Sequence, residues 1–364
     1  MRAVAAALLF VLMAAARGVP AIAHVDRLKW CDQVCRDRLV PCNGYHGDGG
    51  AAKLRSSASG PVSWRQIRGL TPRQRAFCRR HRDLVPALVE GARRGARECR
   101  RRFRHSRWNC QALGQHLEFG HVQVKGTREA AVQYALHSAA ITHALHRACQ
   151  RGTLATCSCG AASQRRRTLE QWKWTGCLSG LSFSARKARK FVNAREVELD
   201  ARSRMNVHNN KVGIRMVTRR TRRRSLCHGV SGSCALSTSW QEAPRSFSAI
   251  GVPLAAERER SVMVVLSPAG SLLKAATGAP PSSNRLVHLE LSPSYCESDP
   301  DTGFQGTAGR PCRKNSSVAG SCADLCCDRG HSSRVVPQVF CCNFHTNSAK
   351  PSRCRHQTRV RTCN

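Results

Sequence analysis

Acidic side chains are scarce in this chain of 364 residues, because 22 Asp and Glu stand against 60 Lys and Arg, a formal net charge of +38. Aromatic residues make up only 5%, which leaves few stacking platforms for single-stranded nucleic acid. No apolar run after the N-terminus is long enough to cross a bilayer. A surface so poor in acids attracts polyanions, which are nucleic acid inside a cell and heparan sulfate or acidic membrane outside it.

The N-terminus favours the second setting. Arg2 precedes an apolar run over Ala3–Ala16, which is short for a transmembrane helix, and Ala21-Ile22-Ala23 is a small-x-small cleavage site. This order is typical of a secretory signal peptide over residues 1–23, and the alternative is a buried N-terminal helix. We therefore expect a secreted protein of the extracellular space and matrix, which begins near His24 and does not bind nucleic acid.

The 21 cysteines agree with export, because cysteine-rich secreted chains form disulfides. Their odd number leaves at least one thiol free or paired with another chain. Outside the motif discussed below, the cysteines expected in disulfides are Cys99, Cys110, Cys149, Cys157, Cys159, Cys177, Cys296, Cys312, Cys322, Cys326 and Cys327.

Helical patterns dominate the chain from about Trp30 to Trp240. Thr127–Cys149 is the clearest helix, since Thr127 can cap it and Glu129 lies in its first turn. Thr71-Pro72 is a second helix start, with a capping residue followed by proline. The other predicted helices cover Ala87–Phe103, Ser184–Val197 and Asp200–Arg220.

The composition changes after Trp240. Residues 241–284 contain Pro, Ser, Gly and Ala, no cysteine and little amphipathic order, and are interpreted as a linker or insertion. Residues 285–364 hold nine of the 21 cysteines and few apolar residues, so disulfides must hold short hairpins together there. The prediction is an α+β fold with a mostly helical domain over 24–240 that carries a disulfide-tied hairpin, and a small cysteine-rich β-hairpin domain over 285–364.

The most specific motif runs from Cys227 to Cys234 and reads CHGVSGSC. Gly229 and Gly232 permit the positive φ values of a tight turn. A Cys227–Cys234 disulfide would close a rigid loop, stabilised by about 2–3 kcal/mol, with Ser231 exposed at its tip. An exposed serine at a loop tip suits covalent modification better than a role in a core.

Two other functions for this motif stay open at the level of the sequence. Ser231 beside His228 suggests a nucleophile, although the full G-x-S-x-G pattern and an acidic partner are missing. Cys227, His228 and Cys234 suggest a zinc site, although their spacing is short for a structural site.

Two places where histidine lies near other polar side chains invite a metal assignment. One is Met205–Asn210, which reads MNVHNN, and the other is His143 with His146 on one helix face. No third ligand is visible for His143 and His146. We interpret the first as a buried hydrogen-bonded network and the second as structural or solvated, so no metal is predicted.

Several motifs, in this order, resemble the Wnt family of signalling proteins. They are ECRRRFRHSRWNC up to Cys110, the TREAAVQYALHSAAITHALHRACQRG helix, CSCG at Cys157–Gly160, MNVHNN, CHGVSGSC, SPSYC at Ser292–Cys296, GTAGRPC at Gly306–Cys312 and CCDRGH at Cys326–His331. The resemblance covers essentially the whole mature chain, and CHGVSGSC is close to specific for the family.

The resemblance implies a receptor ligand and not an enzyme, without catalytic residues or a cofactor. A membrane acyltransferase would esterify Ser231 with a monounsaturated fatty acid, and a secretory carrier would export the product. The acyl chain would fill a groove on the cysteine-rich domain of Frizzled receptors. A co-receptor related to the low-density lipoprotein receptor would complete signalling through β-catenin in development and cell-fate control. Residues expected to contact the receptor are His228, Gly229, Val230, Gly232, Ser233, Phe344 and His345.

The chain also departs from the family pattern. Wnt hairpins usually carry a second cysteine pair outside the first, and here Ser225 and Ser239 occupy those positions. A reciprocal loss indicates that the two positions are partners. The C-terminal hairpin lacks the family's F-H-W-C-C and reads FHTNS from Phe344. These departures leave open a vestigial Wnt relative, and the charge leaves open a basic matrix or heparin-binding protein.

Asn315-Ser316-Ser317 is the single N-glycosylation sequon of the chain. It lies between Cys312 and Cys322, in a segment that we expect to be an exposed loop. Glycosylation at Asn315 and heparan sulfate binding are therefore further expectations.

Overall fold

The structure is a computed structural model of the chain. It describes residues 64–110, 125–157, 179–198, 200–234, 237–267, 272–275, 277–300, 304–314, 317, 319–342 and 352–364. The predicted signal peptide lies outside these residues. The described residues fall into two compact units, a larger one with residues 64–332 and 361–364, and a smaller one with residues 333–342 and 352–360.

In the described residues the helices are α1 (Pro72–Arg80), α2 (Val85–Phe103), α3 (Arg128–Gln150), α4 (Ser179–Asn193), α5 (Ala201–Arg220), α6 (Ser248–Ala256) and α7 (Cys322–Leu325). The strands are β1 (Arg222–Cys227), β2 (Ser237–Glu242), β3 (Val262–Leu266), β4 (Leu273–Ala275), β5 (Val287–His288), β6 (Ser298–Asp299), β7 (Phe304–Gln305), β8 (Pro311–Cys312), β9 (His331–Cys342) and β10 (Ser352–Cys363). This mixture confirms the predicted α+β fold.

Side-chain caps begin three of the helices where the sequence predicts them. Gln74 N–H donates to Thr71 Oγ1 at 3.2 Å, and Thr71 N–H donates back to the Gln74 side chain at 3.2 Å, a capping box. Thr127 caps α3, and Asp200 Oδ1 accepts from Ser203 N–H at 2.7 Å at the start of α5. Capping at these residues therefore fixes the N-terminal ends of α1, α3 and α5.

Helix α3 lies at the centre of the larger unit, with α2, α4 and α5 packed around it. Its alanines let neighbouring backbones come close. A Cβ on Gly91 of α2 would lie 2.6 Å from Ile141 Cα of α3, and a Cβ on Gly213 of α5 would overlap the Ala135 carbonyl. Since protein interiors are close-packed, these glycines have no room for a side chain.

The structure corrects the interpretation of residues 241–284 as a linker or loose insertion. Helix α6 packs against α2, α3 and α5, and its Ile250 and Leu254 are fully buried in the core of the helical bundle. Strand β3 then pairs in parallel with β5, Val262 opposite Val287, and antiparallel with β4. The segment therefore contributes core side chains and a small sheet.

Disulfides hold the short elements that follow β5, as predicted. The bonded pairs there are Cys296–Cys327, Cys312–Cys322 and Cys326–Cys363. Strand β6 pairs with β7, and the end of β10 pairs with β8. The local core consists of Leu325 and cysteines, too little apolar surface to be stable without the disulfides. In the smaller unit β9 and β10 are neighbours in one sheet.

Candidate functional site

The motif CHGVSGSC lies at the end of a two-stranded ribbon that follows α5 directly. Strands β1 and β2 pair antiparallel through six residue pairs, from Arg222 opposite Glu242 to Cys227 opposite Ser237. The side chains of β1 are exposed along nearly its whole length. An isolated two-stranded ribbon is marginally stable in water, so the covalent link at its tip is important for its geometry.

The tip is closed by one disulfide and three backbone hydrogen bonds. Cys227 and Cys234 are bonded, with their Cα atoms 4.6 Å apart. Gly229 N–H donates to Ser233 O at 2.8 Å, Gly232 N–H to Gly229 O at 3.0 Å, and Ser233 N–H to Val230 O at 3.1 Å. The last two bonds belong to a 3₁₀ turn over Val230–Gly232 and the first closes the loop around it, so the loop has a defined shape.

Ser231 adopts a backbone conformation that is unusual for serine, with φ 56° and ψ 28°, and Gly232 follows with φ 76°. A left-handed conformation destabilises a residue with a Cβ by about 1–2 kcal/mol. Such strain concentrates at functional positions that the surrounding structure holds in place. Here it places Ser231, which is exposed, at the turn of the loop.

Gly229 makes the closest approach within the tip. A Cβ on Gly229 would lie 2.5 Å from Ser233 O and would overlap the Ser233 hydroxyl, whereas a Cβ on Gly232 would meet no atom within 4 Å. Glycine is therefore required at 229 by lack of space and favoured at 232 by its positive φ. Val230 projects outward with 90% of its surface exposed.

The geometry bears on the two alternatives for this motif. Cys227 and Cys234 use their sulfur atoms in a disulfide and cannot ligate zinc as thiolates. In the part of the chain that the structure describes, no side chain hydrogen-bonds to the Ser231 hydroxyl, whereas a nucleophilic serine is activated by an adjacent base. What remains is an exposed hydroxyl that an external enzyme can reach.

The MNVHNN segment forms the buried polar network that the sequence predicts. Asn209 receives a hydrogen bond from Val287 N–H and donates one to Val287 O, both at 2.9 Å. Asn206 donates to Glu196 Oε2 at 3.0 Å, and His208 Nε2 lies 2.9 Å from Arg285 O. These contacts join α5 to β5 and to the segment that follows α4, which is a structural role.

The histidine pair on α3 is also buried. His143 Nε2 donates to Pro244 O at 2.7 Å, and Arg94 donates to His143 Nδ1 at 3.1 Å. Burial lowers the pKa of His143 from 6.5 to about 4 and also lowers the pKa of His146. Both side chains are therefore neutral core residues at physiological pH, which confirms the structural interpretation.

Comparison with protein families matches residues 66–364 to the sequence model of the Wnt family. This chain belongs to the Wnt family. It is 39% identical to the protein Wnt-2 of Drosophila melanogaster over 310 residues, which cover 80% of this chain and 88% of the fly protein. It is 40% identical to human Wnt-2b over 306 residues, which cover 82% of this chain and 78% of the human protein.

A solved structure supports the same fold. The complex of human WLS with WNT8A contains a chain that matches this Wnt chain with a TM-score of 0.60 and 29% identity, over 77% of this chain and 93% of that chain. Family membership confirms that the chain is a Wnt signalling ligand. None of its described helices is both long and apolar enough to span a membrane.

The Wnt hairpin of this chain lacks the second cysteine pair in the way the sequence predicts. Ser225 and Ser239 are direct cross-strand partners in the β1–β2 register. The ribbon therefore keeps the disulfide at its tip, Cys227–Cys234. The position of the family's second disulfide is occupied by Ser225 and Ser239. We expect the base of the ribbon to open more readily than the tip.

Several predicted residues lie outside the described part of the chain. They are Phe344, His345, Asn315, Cys159 and Cys177. Of the other cysteines, Cys99 is bonded to Cys110 and Cys149 to Cys157. Cys78, which the sequence did not single out, is a buried free thiol in α1, and burial raises its pKa to about 11.

Proposed function

We propose that this Wnt chain is secreted, carries a monounsaturated fatty acyl ester on Ser231, and binds the cysteine-rich domain of a Frizzled receptor through that lipid. The observation that supports this most directly is the tip geometry. An exposed serine, held at φ 56° in a disulfide-closed turn, presents its hydroxyl to an acyltransferase. No competing side chain of the described residues is bonded to that hydroxyl.

The size of the lipid makes it the main source of affinity. A chain of about sixteen carbons that transfers about 0.8 kcal/mol per CH₂ gives a gross stabilisation of about 10 kcal/mol. Part of this stabilisation is offset by the loss of translational and rotational freedom on binding and by the ordering of side chains at the interface. The exposed tip residues His228 and Val230 then contact the receptor around the lipid, together with Gly229, Gly232 and Ser233.

The acyl group on Ser231 also requires partner proteins during export, because it is hydrophobic. The solved relative is a WNT8A bound to human WLS, and we propose that this chain uses a secretory carrier of the same kind after a membrane acyltransferase has modified it. A signal peptide over residues 1–23, glycosylation at Asn315, and a second receptor contact through Phe344 and His345 belong to the same proposal. So do the low-density-lipoprotein-receptor-related co-receptor, β-catenin signalling and heparan sulfate binding.

The test compares two serine variants of the same loop. Ser231→Ala and Ser233→Ala each remove one exposed hydroxyl and leave the disulfide and the backbone bonds in place. Both variants and the wild type are secreted from animal cells and assayed for capture by an immobilised Frizzled cysteine-rich domain and for a β-catenin reporter. We expect Ser231→Ala to lose both signals, whereas Ser233→Ala, which loses a contact beside the lipid but keeps the lipid, should lose only a small part of each. Equal signals from the two variants would refute the lipid mechanism.

A further inference from the structure

Five exposed arginines lie where α5 passes into β1, at the base of the ribbon. We call Arg219, Arg220, Arg222, Arg223 and Arg224 the hairpin-base arginines. They occupy five of six consecutive positions. The function proposed above concerns the tip and leaves this surface without a role.

Few acidic residues lie near these arginines in the sequence. Asp and Glu are absent from the whole segment 201–241. Arg224 pairs with Glu242, its Nε 3.0 Å from Oε2. Within the described residues no ion pair engages Arg219, Arg220 or Arg222. Because like charges at such spacing repel one another, an anionic partner would stabilise the arrangement.

The same ribbon carries exposed apolar side chains toward its tip. Leu226 is 54% exposed and Val230 is 90% exposed. Since strand residues alternate between faces, Leu226 lies on the same face of β1 as Arg222 and Arg224. The ribbon is therefore cationic at its base and apolar toward its tip.

This distribution distinguishes between two anionic partners. A sulfated polysaccharide would neutralise the arginines but would leave Leu226 and Val230 in water. A membrane surface accepts both, with apolar side chains at the acyl boundary and cations at the headgroups. Arg224 lies three residues from Cys227, about 10 Å along a strand at about 3.3 Å per residue. Arg222, two residues farther, is about 17 Å from Cys227, beyond the Debye length of about 8 Å over which the surface potential acts. The arginines therefore reach the surface only if the ribbon lies along it, on the face that Arg222 and Arg224 share with Leu226.

We infer that the hairpin-base arginines dock the ribbon onto an anionic phospholipid surface, with Leu226 and Val230 at the interface. The inference deepens the proposed function, because before the receptor takes up the acyl chain on Ser231, that chain would enter the same surface and supply a second attachment. One lipid chain gives only reversible membrane binding, and a polybasic patch makes it stable. The arginines, however, attract anionic lipid whether or not Ser231 is acylated.

The test uses the purified full chain and vesicles of phosphatidylcholine, alone or mixed with phosphatidylserine. The triple variant Arg219→Gln, Arg220→Gln, Arg222→Gln is compared with a control triple variant, Arg73→Gln, Arg75→Gln, Arg79→Gln, at exposed positions of α1. Each basic residue near an anionic surface strengthens binding about fivefold. We expect the hairpin triple to bind mixed vesicles about a hundredfold more weakly than wild type, and the control to stay near wild type.

The Ser231→Ala background separates this inference from acylation. There we expect weaker binding overall but the same loss when the three hairpin arginines are replaced. If wild type proves to be unacylated, the proposed lipid mechanism fails while the arginine effect can still be measured. Equal losses in the two triple variants would overturn the inference, as would equal wild-type binding to both vesicle types. If the hairpin triple variant lost its retention on heparin but bound vesicles as the wild type does, the partner would be a sulfated polysaccharide.

Discussion

Replacing Gly229 by alanine tests whether the tip must keep its closed shape. The added Cβ would lie 2.5 Å from Ser233 O, whereas an ordinary carbon–oxygen contact is about 3.3 Å. The loop must then open by about 0.8 Å and loses the Gly229 N–H to Ser233 O hydrogen bond. Losing this bond destabilises the tip by about 1 kcal/mol, and the overlap adds about 1–3 kcal/mol.

The expected total is about 3 kcal/mol, or about a hundredfold in the equilibrium between closed and open tip. Hydrogen exchange of the 227–234 peptide measures this directly, through the amides of Gly229, Gly232 and Ser233. We expect faster exchange at the tip and an unchanged midpoint of global unfolding, because no residue of the 3₁₀ turn is buried. Acylation of Ser231 should fall with the loss of the closed shape.

Gly232→Ala is the matched control for this experiment. Its Cβ would meet no atom within 4 Å, so the penalty is limited to the positive φ, about 1–2 kcal/mol. We expect exchange and acylation between those of wild type and Gly229→Ala. If Gly229→Ala keeps wild-type protection and acylation, the close approach at 229 is not what shapes the tip.

Three further predictions concern the ribbon and the core. The double variant Ser225→Cys, Ser239→Cys should form a disulfide, which mass spectrometry detects as the loss of two hydrogens. The disulfide should stabilise the ribbon by about 2 kcal/mol. Persistent free thiols would contradict the pairing of residues 225 and 239 in the β1–β2 register. Burial lowers the pKa of His143 to about 4, so the unfolded chain binds more protons and stability should fall by about 3 kcal/mol as pH drops from 6.5 toward 4. The urea midpoint of the His143→Gln variant should depend less on pH than that of the wild type. An equal pH dependence in the two proteins would contradict the lowered pKa of His143. Glu129 accepts hydrogen bonds from Ser292 at 2.6 Å and Tyr295 at 3.0 Å. Glu129→Ala should therefore destabilise the protein by about 3 kcal/mol and Glu129→Gln by less. Equal urea midpoints for the two variants would argue against this network.

Local signals in the sequence located the starts of α1, α3 and α5, whereas α2 begins at Val85 and not at Ala87, and α4 covers Ser179–Asn193 and not Ser184–Val197. Thr71, Thr127 and Asp200 cap helices because their side chains satisfy free backbone N–H groups, a property that depends on neighbouring residues alone. The pairing of Ser225 with Ser239 followed from a reciprocal departure from the family pattern. Features of this kind need no knowledge of the tertiary fold.

Helix α6 could not be predicted in this way. Its sequence SAIGVPLAA includes Pro253 inside the helix, and a helix of nine residues is marginal without tertiary contacts. Packing decides its formation, since Ile250 and Leu254 are buried in the bundle core and a Cβ on Gly251 would lie 2.6 Å from the Glu98 side chain. The left-handed conformation of Ser231 was equally beyond local rules, because serine has no preference for it.

Mass spectrometry of the protein secreted from animal cells tests the central claim most directly. The peptide that contains Cys227 and Cys234 should carry the mass of a monounsaturated fatty acyl ester, and that mass should be absent from Ser231→Ala but present in Ser233→Ala. A secreted protein with an unmodified 227–234 peptide would contradict the lipid-dependent mechanism and leave a Wnt relative that must act in another way.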